Sequence, residues 1–258
     1  MSWSRVTALL GKELTDLRGR PGIFFPGLFT GAVAILLPVF VAILVPAFTG
    51  ERLADSADLR IAVEFYRQQP GARALAPEAA IQASLFQQFL VLLVLSPVAA
   101  AMSIAAYSVI GEKQARTLEP LLAKTLGAFL PALALSFVCF AVDLAVAGLF
   151  AEPGVAWALV APRPLGVLFL MGPMASLTAL SLAVCVSARV NDARSAQQLA
   201  ALVVLPITAL LIAQIAGGFV VTLPFILLIT AGLALVNVGL LRLGVSLFDR
   251  ETILTRWK

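Results

Sequence analysis

Four stretches of this chain run for 25 residues or more without an Asp, Glu, Lys or Arg: Gly22 to Pro46, Ala83 to Gly111, Pro164 to Ala188 and Ser195 to Leu241. A bilayer core asks for about 20 predominantly apolar residues per helix. Hydrocarbon offers no partner to free backbone N–H and C=O groups, so helices or closed barrels are the forms that cross it. These runs exceed barrel-strand length and do not alternate polar with apolar residues, which excludes a barrel. The expected fold class is therefore all-α integral membrane.

Composition agrees. Of 258 residues, 61% are apolar and 12% are charged, against about 25% charged in an average soluble chain. The run from Ser195 to Leu241 is too long for one span, and Gly217, Gly218 and Pro224 divide it. Six spans are expected, over 22–46, 84–110, 125–150, 165–187, 197–218 and 223–246. The first is not a signal peptide, because a charged stretch precedes it and no small-residue cleavage site follows Pro46.

Basic residues set the orientation. With the N-terminus cytoplasmic, thirteen of the 18 Lys and Arg residues lie inside, among them Lys12, Lys113, Arg189 and Arg250. Outside lie only Arg52, Arg60, Arg67, Arg73 and Arg163. Both termini are thus expected to be cytoplasmic in a multi-pass protein of the cell's inner membrane. The formal charge of +4 reads as topology and contact with anionic lipid, not as nucleic-acid binding.

In residues 2–20, Trp3, Val6, Leu10, Leu14 and Leu17 share one helical face while Arg5, Lys12, Glu13, Asp16 and Arg18 decorate the rest. That pattern predicts an amphipathic helix lying in the interface, the alternative being a frayed charged tail. The connection 47–82 is expected to be a small extracytoplasmic cap. Leu59, Ile61, Val63 and Phe65 alternate there like a short strand, although Pro70, Gly71 and Pro77 argue against an independent domain. Cys139 and Cys185 fall within spans, where a thiol usually packs as a small apolar group.

The chain has no histidine, which removes the Ser-His-Asp triad, His-based zinc sites and the metalloprotease helix. It also lacks a G-x-x-x-x-G-K-[ST] phosphate loop. If the protein uses ATP, another subunit must bind it.

The segment after the second span reads Gly111-Glu112-Lys113-Gln114-Ala115-Arg116-Thr117-Leu118-Glu119-Pro120-Leu121-Leu122-Ala123. Thr117 suits the cap of a short helix whose first turn holds Leu118, Glu119 and Pro120. Leu118, Leu121 and Leu122 then share a face able to dock in a partner's groove. On residues alone, a solvated or lipid-lying loop reads equally well. The segment resembles the ABC transporter permeases of the type-2 exporter family. The resemblance recurs from Ser187 to Leu199, around Arg189-Val190-Asn191-Asp192-Ala193-Arg194, and from Phe248 to Lys258.

The resemblance implies a transport subunit, not an enzyme and binding no cofactor of its own: a permease that dimerises, as a homodimer or heterodimer, and is driven by separate ATPase subunits holding ATP and Mg at the cytoplasmic face. It implies that Glu112 to Ala123 form the coupling helix and residues 2–20 the elbow helix. Glu112, Lys113, Arg116, Thr117, Leu118, Glu119, Pro120, Leu121 and Leu122 would then transmit force to the second and third spans. Related permeases carry further residues between the Leu-Leu-Ala stretch and the lysine opening the third span; here Ala123 runs directly into Lys124.

Asp143 is the one acidic residue well inside a span, where a charge costs roughly 2.5–3.5 kcal/mol on insertion scales. It is a candidate for the translocation path, or for coupling a proton or ion in a secondary transporter, or it reaches an aqueous vestibule or neighbouring helix. Gln87 and Gln88 are further path candidates. With Gln214 and Asn237, they also read as hydrogen-bonding glue between helices.

Overall fold

The computed structural model describes residues 22, 25–55, 75–115, 121–187, 193–215 and 221–247, and among them every regular element is helical. Five helices are long and apolar enough to cross a membrane: Phe25–Thr49, Pro77–Tyr107, Phe129–Phe150, Pro162–Ser187 and Leu223–Gly244. The protein is thus an all-α chain built to be membrane-embedded and multi-pass. The expected elbow helix at 2–20 and the alternating stretch at 59–65 lie outside the described residues.

Helix α1 (Phe25–Val39) passes through a π turn at Phe40–Leu44 into α2 (Val45–Thr49), with a 3-10 turn at Leu53–Asp55 beyond. Helices α3 (Pro77–Leu93) and α4 (Leu95–Ala115) form one kinked rod, broken at Val94 ahead of Pro97. The long α5 (Leu121–Phe150) returns, and short α6 (Val155–Leu159) and α7 (Pro162–Gly166) turn the chain over. A second π turn, Val167–Met171, leads into α8 (Gly172–Ser187). Then come α9 (Ala193–Ala200), a 3-10 turn at Ala201–Val203, α10 (Val204–Ile215) and α11 (Leu223–Leu247).

Two boundaries differ from the sequence expectation. The second rod begins at Pro77, so residues 77–82, assigned above to the outer cap, are helical. Pro77 suits a first helical position, where its missing N–H loses nothing. The stretch expected as a single span at 197–218 is instead α9, a 3-10 turn and α10, and only Val204–Gln214 of it is a short apolar helix.

Both π turns end immediately before an X-Pro pair, Val45-Pro46 and Gly172-Pro173. Proline has no N–H to bond the carbonyl four residues back, and its ring crowds that carbonyl. The widened turn relieves the crowding: the N–H of Val45 reaches Phe40 O and that of Gly172 reaches Val167 O.

The α3–α4 rod is the wall against which the others assemble; 89% of its most apolar window is buried, against 11% for α11. Gly27 and Gly31, one turn apart, let α1 meet α4 at backbone distance. A Cβ on Gly27 would sit 2.6 Å from Ala100 Cβ, and one on Gly31 would sit 2.8 Å from Cys139 Sγ and 3.0 Å from Ser96 Oγ. The Ser96 hydroxyl donates to Gly27 O at 2.9 Å across this contact.

Directions follow from pairs of this kind. Gly27 lies by Ser96 and Ala42 by Gln82, so α1 runs antiparallel to α3–α4. Glu152, just past α5, meets Gln82 near the start of α3, so α5 is antiparallel to the rod as well. Ala158 and Arg163 meet Gln87, so α8 starts from that same end and runs parallel to the rod. Ser181 donates to Asn237 at 2.8 Å, flanked by Thr178 to Leu233 O and Cys185 to Leu240 O; the constant offset makes α8 and α11 parallel. The start of α1 and the C-terminal ends of α4, α8 and α11 therefore share one end of the bundle.

Gly27→Ala is expected to lower stability by about 1–3 kcal/mol, because the added methyl meets α4 backbone. Gly232→Ala, with nothing within 4 Å of the new Cβ, is expected to be neutral or stabilising by up to about 1 kcal/mol. Thermal unfolding in detergent measures both; an unchanged melting temperature for Gly27→Ala contradicts the close contact.

Candidate functional site

The polar side chains of α3 form a clasp at one end of the bundle. The Glu78 carboxylate accepts the backbone N–H groups of Leu53 and Ala54, at 3.1 and 3.0 Å, and so caps the 3-10 turn. One turn on, buried Gln82 donates from Nε2 to Ala42 O at 3.2 Å and accepts the Glu152 N–H at 2.8 Å. Ala42 is the residue four before Pro46, whose carbonyl has lost its helical donor. The glutamine supplies a donor to that carbonyl.

Gln87 continues the pattern. Its Nε2 donates to Ala158 O at 2.8 Å and its Oε1 accepts from Arg163 Nη1 at 3.3 Å. These bonds tie α3 to α6 and α7. Gln87 thus joins helices where the sequence also offered it to a translocation path. Gln88, its neighbour, is partly buried. Glu78, Gln82 and Arg163 are the members of the clasp that sequence reasoning missed: each looks like an ordinary loop polar residue until its partner, 24 to 76 residues away, is known.

Asp143 sits elsewhere, on the inward stripe of α5 that runs Ala132, Ser136, Cys139, Phe140, Asp143, Ala147. It is 2% exposed, and its Oδ1 has no hydrogen-bond partner. Cys139, one turn away, Ser96 on α4 and the gap at Gly31 gather at the α1–α4–α5 junction. No hydrogen bond among the described residues joins Asp143 to Gln87 or Gln88, so the three path candidates do not form one constellation. A polar atom left unpaired in an apolar interior costs on the order of 1–3 kcal/mol. Asp143 is held against that cost, as are Ser103, Ser187 and Gln214, and it is the one carboxylate among them.

The proposed coupling residues divide. Glu112 and Lys113 lie in the last turns of α4, and Leu121 and Leu122 open α5. Arg116, Thr117, Leu118, Glu119 and Pro120 lie outside the described residues. Among the described residues no group of three or more His, Cys, Asp or Glu could hold a metal ion.

Two substitutions of opposite sign test these assignments. Gln82→Leu leaves the Ala42 carbonyl and the Glu152 N–H without their partner and is expected to destabilise by about 1–3 kcal/mol for each. Asp143→Leu removes an unpaired polar group and is expected to leave thermal stability unchanged or raise it, by on the order of 1–3 kcal/mol. A fall in melting temperature for Asp143→Leu would show that the carboxylate has a partner essential to the fold.

The chain matches no family model, no curated protein and no solved structure.

Proposed function

We propose that this chain is the membrane-spanning permease subunit of an ATP-driven exporter, of the ABC type-2 kind that its sequence resembles. In this reading it crosses the cytoplasmic membrane six times with both termini cytoplasmic. The observation that carries the proposal is the placement of helix ends. The three segments that bear the resemblance begin at or near the C-terminal ends of α4, α8 and α11, which share one end of the bundle. Segments meant to grip one partner must emerge together. Here two of them adjoin α4 and α8, which belong to the two most buried spanning helices.

Six crossings are favoured by the parallel pairing of α8 and α11. Between two parallel spans the chain has to return. Residues 193–215 are helical throughout, and at 1.5 Å per residue they reach about 34 Å. A hydrocarbon core is about 30 Å thick. The charge count then assigns the shared end to the cytoplasm.

In the mechanism this suggests, ATP and Mg bind on a separate ATPase subunit, and this chain binds no cofactor. Closure of the ATPases moves the segment from Glu112 to Leu122, which joins the buried rod α3–α4 to α5. The rod is broken at Val94, and the π turns before Pro46 and Pro173 give two further points at which helix halves can pivot. The permease works as a homodimer or heterodimer in the lipid bilayer and contacts no nucleic acid.

A second reading rests on the unpaired carboxylate oxygen of Asp143: a secondary transporter in which that residue carries a proton or ion. Purification of the full chain from its native membrane separates the two. The permease reading expects a stoichiometric ATP-hydrolysing subunit, released by charge reversal at Glu112 and Glu119 or by Leu121→Asp. Gradient-driven uptake by the lone chain in vesicles would contradict it. Asp143→Asn is expected to reduce transport more than expression in either case; equal loss of both would assign Asp143 to packing.

A further inference from the structure

Asp143 stands at the end of a line of polar groups on the seam between α4 and α5. On α5 the line is Asp143, Cys139 and Ser136, spaced four and three residues apart and so on one buried face. On α4 it is Ser96, Ser103 and Tyr107, seven and four apart and likewise on one face. The two helices run antiparallel, and Ser96 Oγ and Cys139 Sγ border the same gap at Gly31, which sets their register. Ordered along the bundle, the groups are Asp143, Cys139 beside Ser96, then Ser136, Ser103 and Tyr107. At 1.5 Å per residue successive levels stand about 4–6 Å apart, a step that one water molecule bridges.

Ser103 sets this line apart from packing. Ser84 and Ser176 donate to carbonyls three residues back in their own helices, a common way for a helical serine to be satisfied. Ser103 is 1% exposed and its Oγ has no partner. Ser96 donates to Gly27 O and keeps its lone pairs free to accept. Tyr107, 43% exposed, brings the line to the surface of the bundle. In the other direction α5 continues Leu144-Ala145-Val146-Ala147-Gly148-Leu149-Phe150 with no polar side chain. The line therefore opens toward the end shared by the C-terminal ends of α4 and α8, and closes just beyond Asp143.

A buried carboxylate needs a positive partner. Of the elements packed on α5, helices α1, α6 and α8 carry no Lys or Arg; α3 carries Glu78, engaged with Leu53 and Ala54, and α4 carries Glu112 and Lys113 at its far end. The remaining titratable groups on these helices are Tyr107, Cys139, Cys185, whose thiol donates to Leu240 O, and Lys124 at the start of α5. A metal ion would ask for more than Asp143, Ser96 and Cys139 supply. Calcium takes six to eight oxygens and magnesium six, and among the described residues no three His, Cys, Asp or Glu gather. A proton needs one oxygen.

We propose that Asp143 is a proton-binding site, filled and emptied from the shared end of the bundle along the α4–α5 line of Tyr107, Ser103, Ser136 and Ser96. Each hydroxyl accepts a proton from one neighbour and passes its own to the next, so the line is left unchanged but for its orientation and the carboxylate becomes a carboxylic acid. Resting on the second reading above, in which Asp143 carries a proton or ion, the proposal names the ion and its side of entry.

The test places the full chain in one orientation in sealed phosphatidylcholine vesicles and adds dicyclohexylcarbodiimide, a lipid-soluble reagent to which a protonated carboxyl adds. Mass spectrometry is expected to find the adduct on Asp143. It is expected to fall about tenfold per pH unit above the site's titration point when pH is raised on the shared-end side, and to ignore pH on the opposite side and added sodium. The infrared carbonyl band of the acid, identified by its loss in Asp143→Asn, is expected to follow a pH step on the shared-end side at least about tenfold more slowly in Ser103→Val with Ser136→Val. Ser103→Ala with Ser136→Ala, which adds no bulk, is expected to slow it likewise, and Ser103→Thr to keep the original rate. Absence of both adduct and acid band, protection by sodium, or a response to the opposite side overturns the proposal, as does an unchanged rate in the folded alanine variant. The expected labelling in a chain that takes up nothing along a gradient sustains the proton site and counts against the secondary transporter instead.

Discussion

Hydrocarbon offers no hydrogen-bond partner, so a polar group inside a bilayer must be met from within the protein. In this bundle one helix supplies much of that need. Glu78, Gln82 and Gln87 of α3 reach the 3-10 turn at 53–55, the carbonyl freed by Pro46, the start of the α5–α6 connection, and α6 and α7. The order of assembly in space follows. A helix that satisfies its neighbours has to touch them all, and the α3–α4 rod is accordingly the most buried of the five spanning helices.

The remaining contacts use other means to the same end. Helix α1 approaches through glycine, gaining close packing where side chains would hold it away, and Ser96 turns that proximity into a hydrogen bond. Helices α8 and α11 are joined by the pairing of Ser181 with Asn237, flanked by Thr178 and Cys185. Such bonds contribute about 0.6 kcal/mol each in membrane helices, so their larger effect is to fix the register of two otherwise smooth apolar surfaces. Four described residues stay outside this scheme: Ser103, Asp143, Ser187 and Gln214 each hold a buried side-chain polar atom with no hydrogen-bond partner.

How much of this was legible beforehand depends on the range of the interaction involved. Apolar runs follow from local composition, and they identified the helices from Phe25, Leu121, Pro162 and Leu223 to within a few residues. The start of the rod at Pro77 was hidden because Glu78 and Gln82 look like loop residues. Their polarity is matched only by backbone groups of Leu53, Ala54, Ala42 and Glu152. Gly27 and Gly31 drew no reading from the sequence, because their meaning lies in Ser96 and Ala100, far along the chain. Asp143 was legible as the lone intramembrane acid, whereas its separation from Gln87 was not, since Gln87 is committed to Ala158 and Arg163.

In the proposed reading the chain crosses the membrane six times, and the ends of α4, α8 and α11 face the same side. Single-cysteine accessibility in sealed membrane vesicles tests it most directly, with Cys139 and Cys185 replaced by serine. Cysteines at Lys113, Asp192 and Thr255 are expected to react with an impermeant maleimide only from the cytoplasmic side, and those at Glu51 and Pro153 only from the opposite side. Reaction of Lys113 and Asp192 from opposite faces, or of Asp192 and Thr255 from opposite faces, would contradict the account.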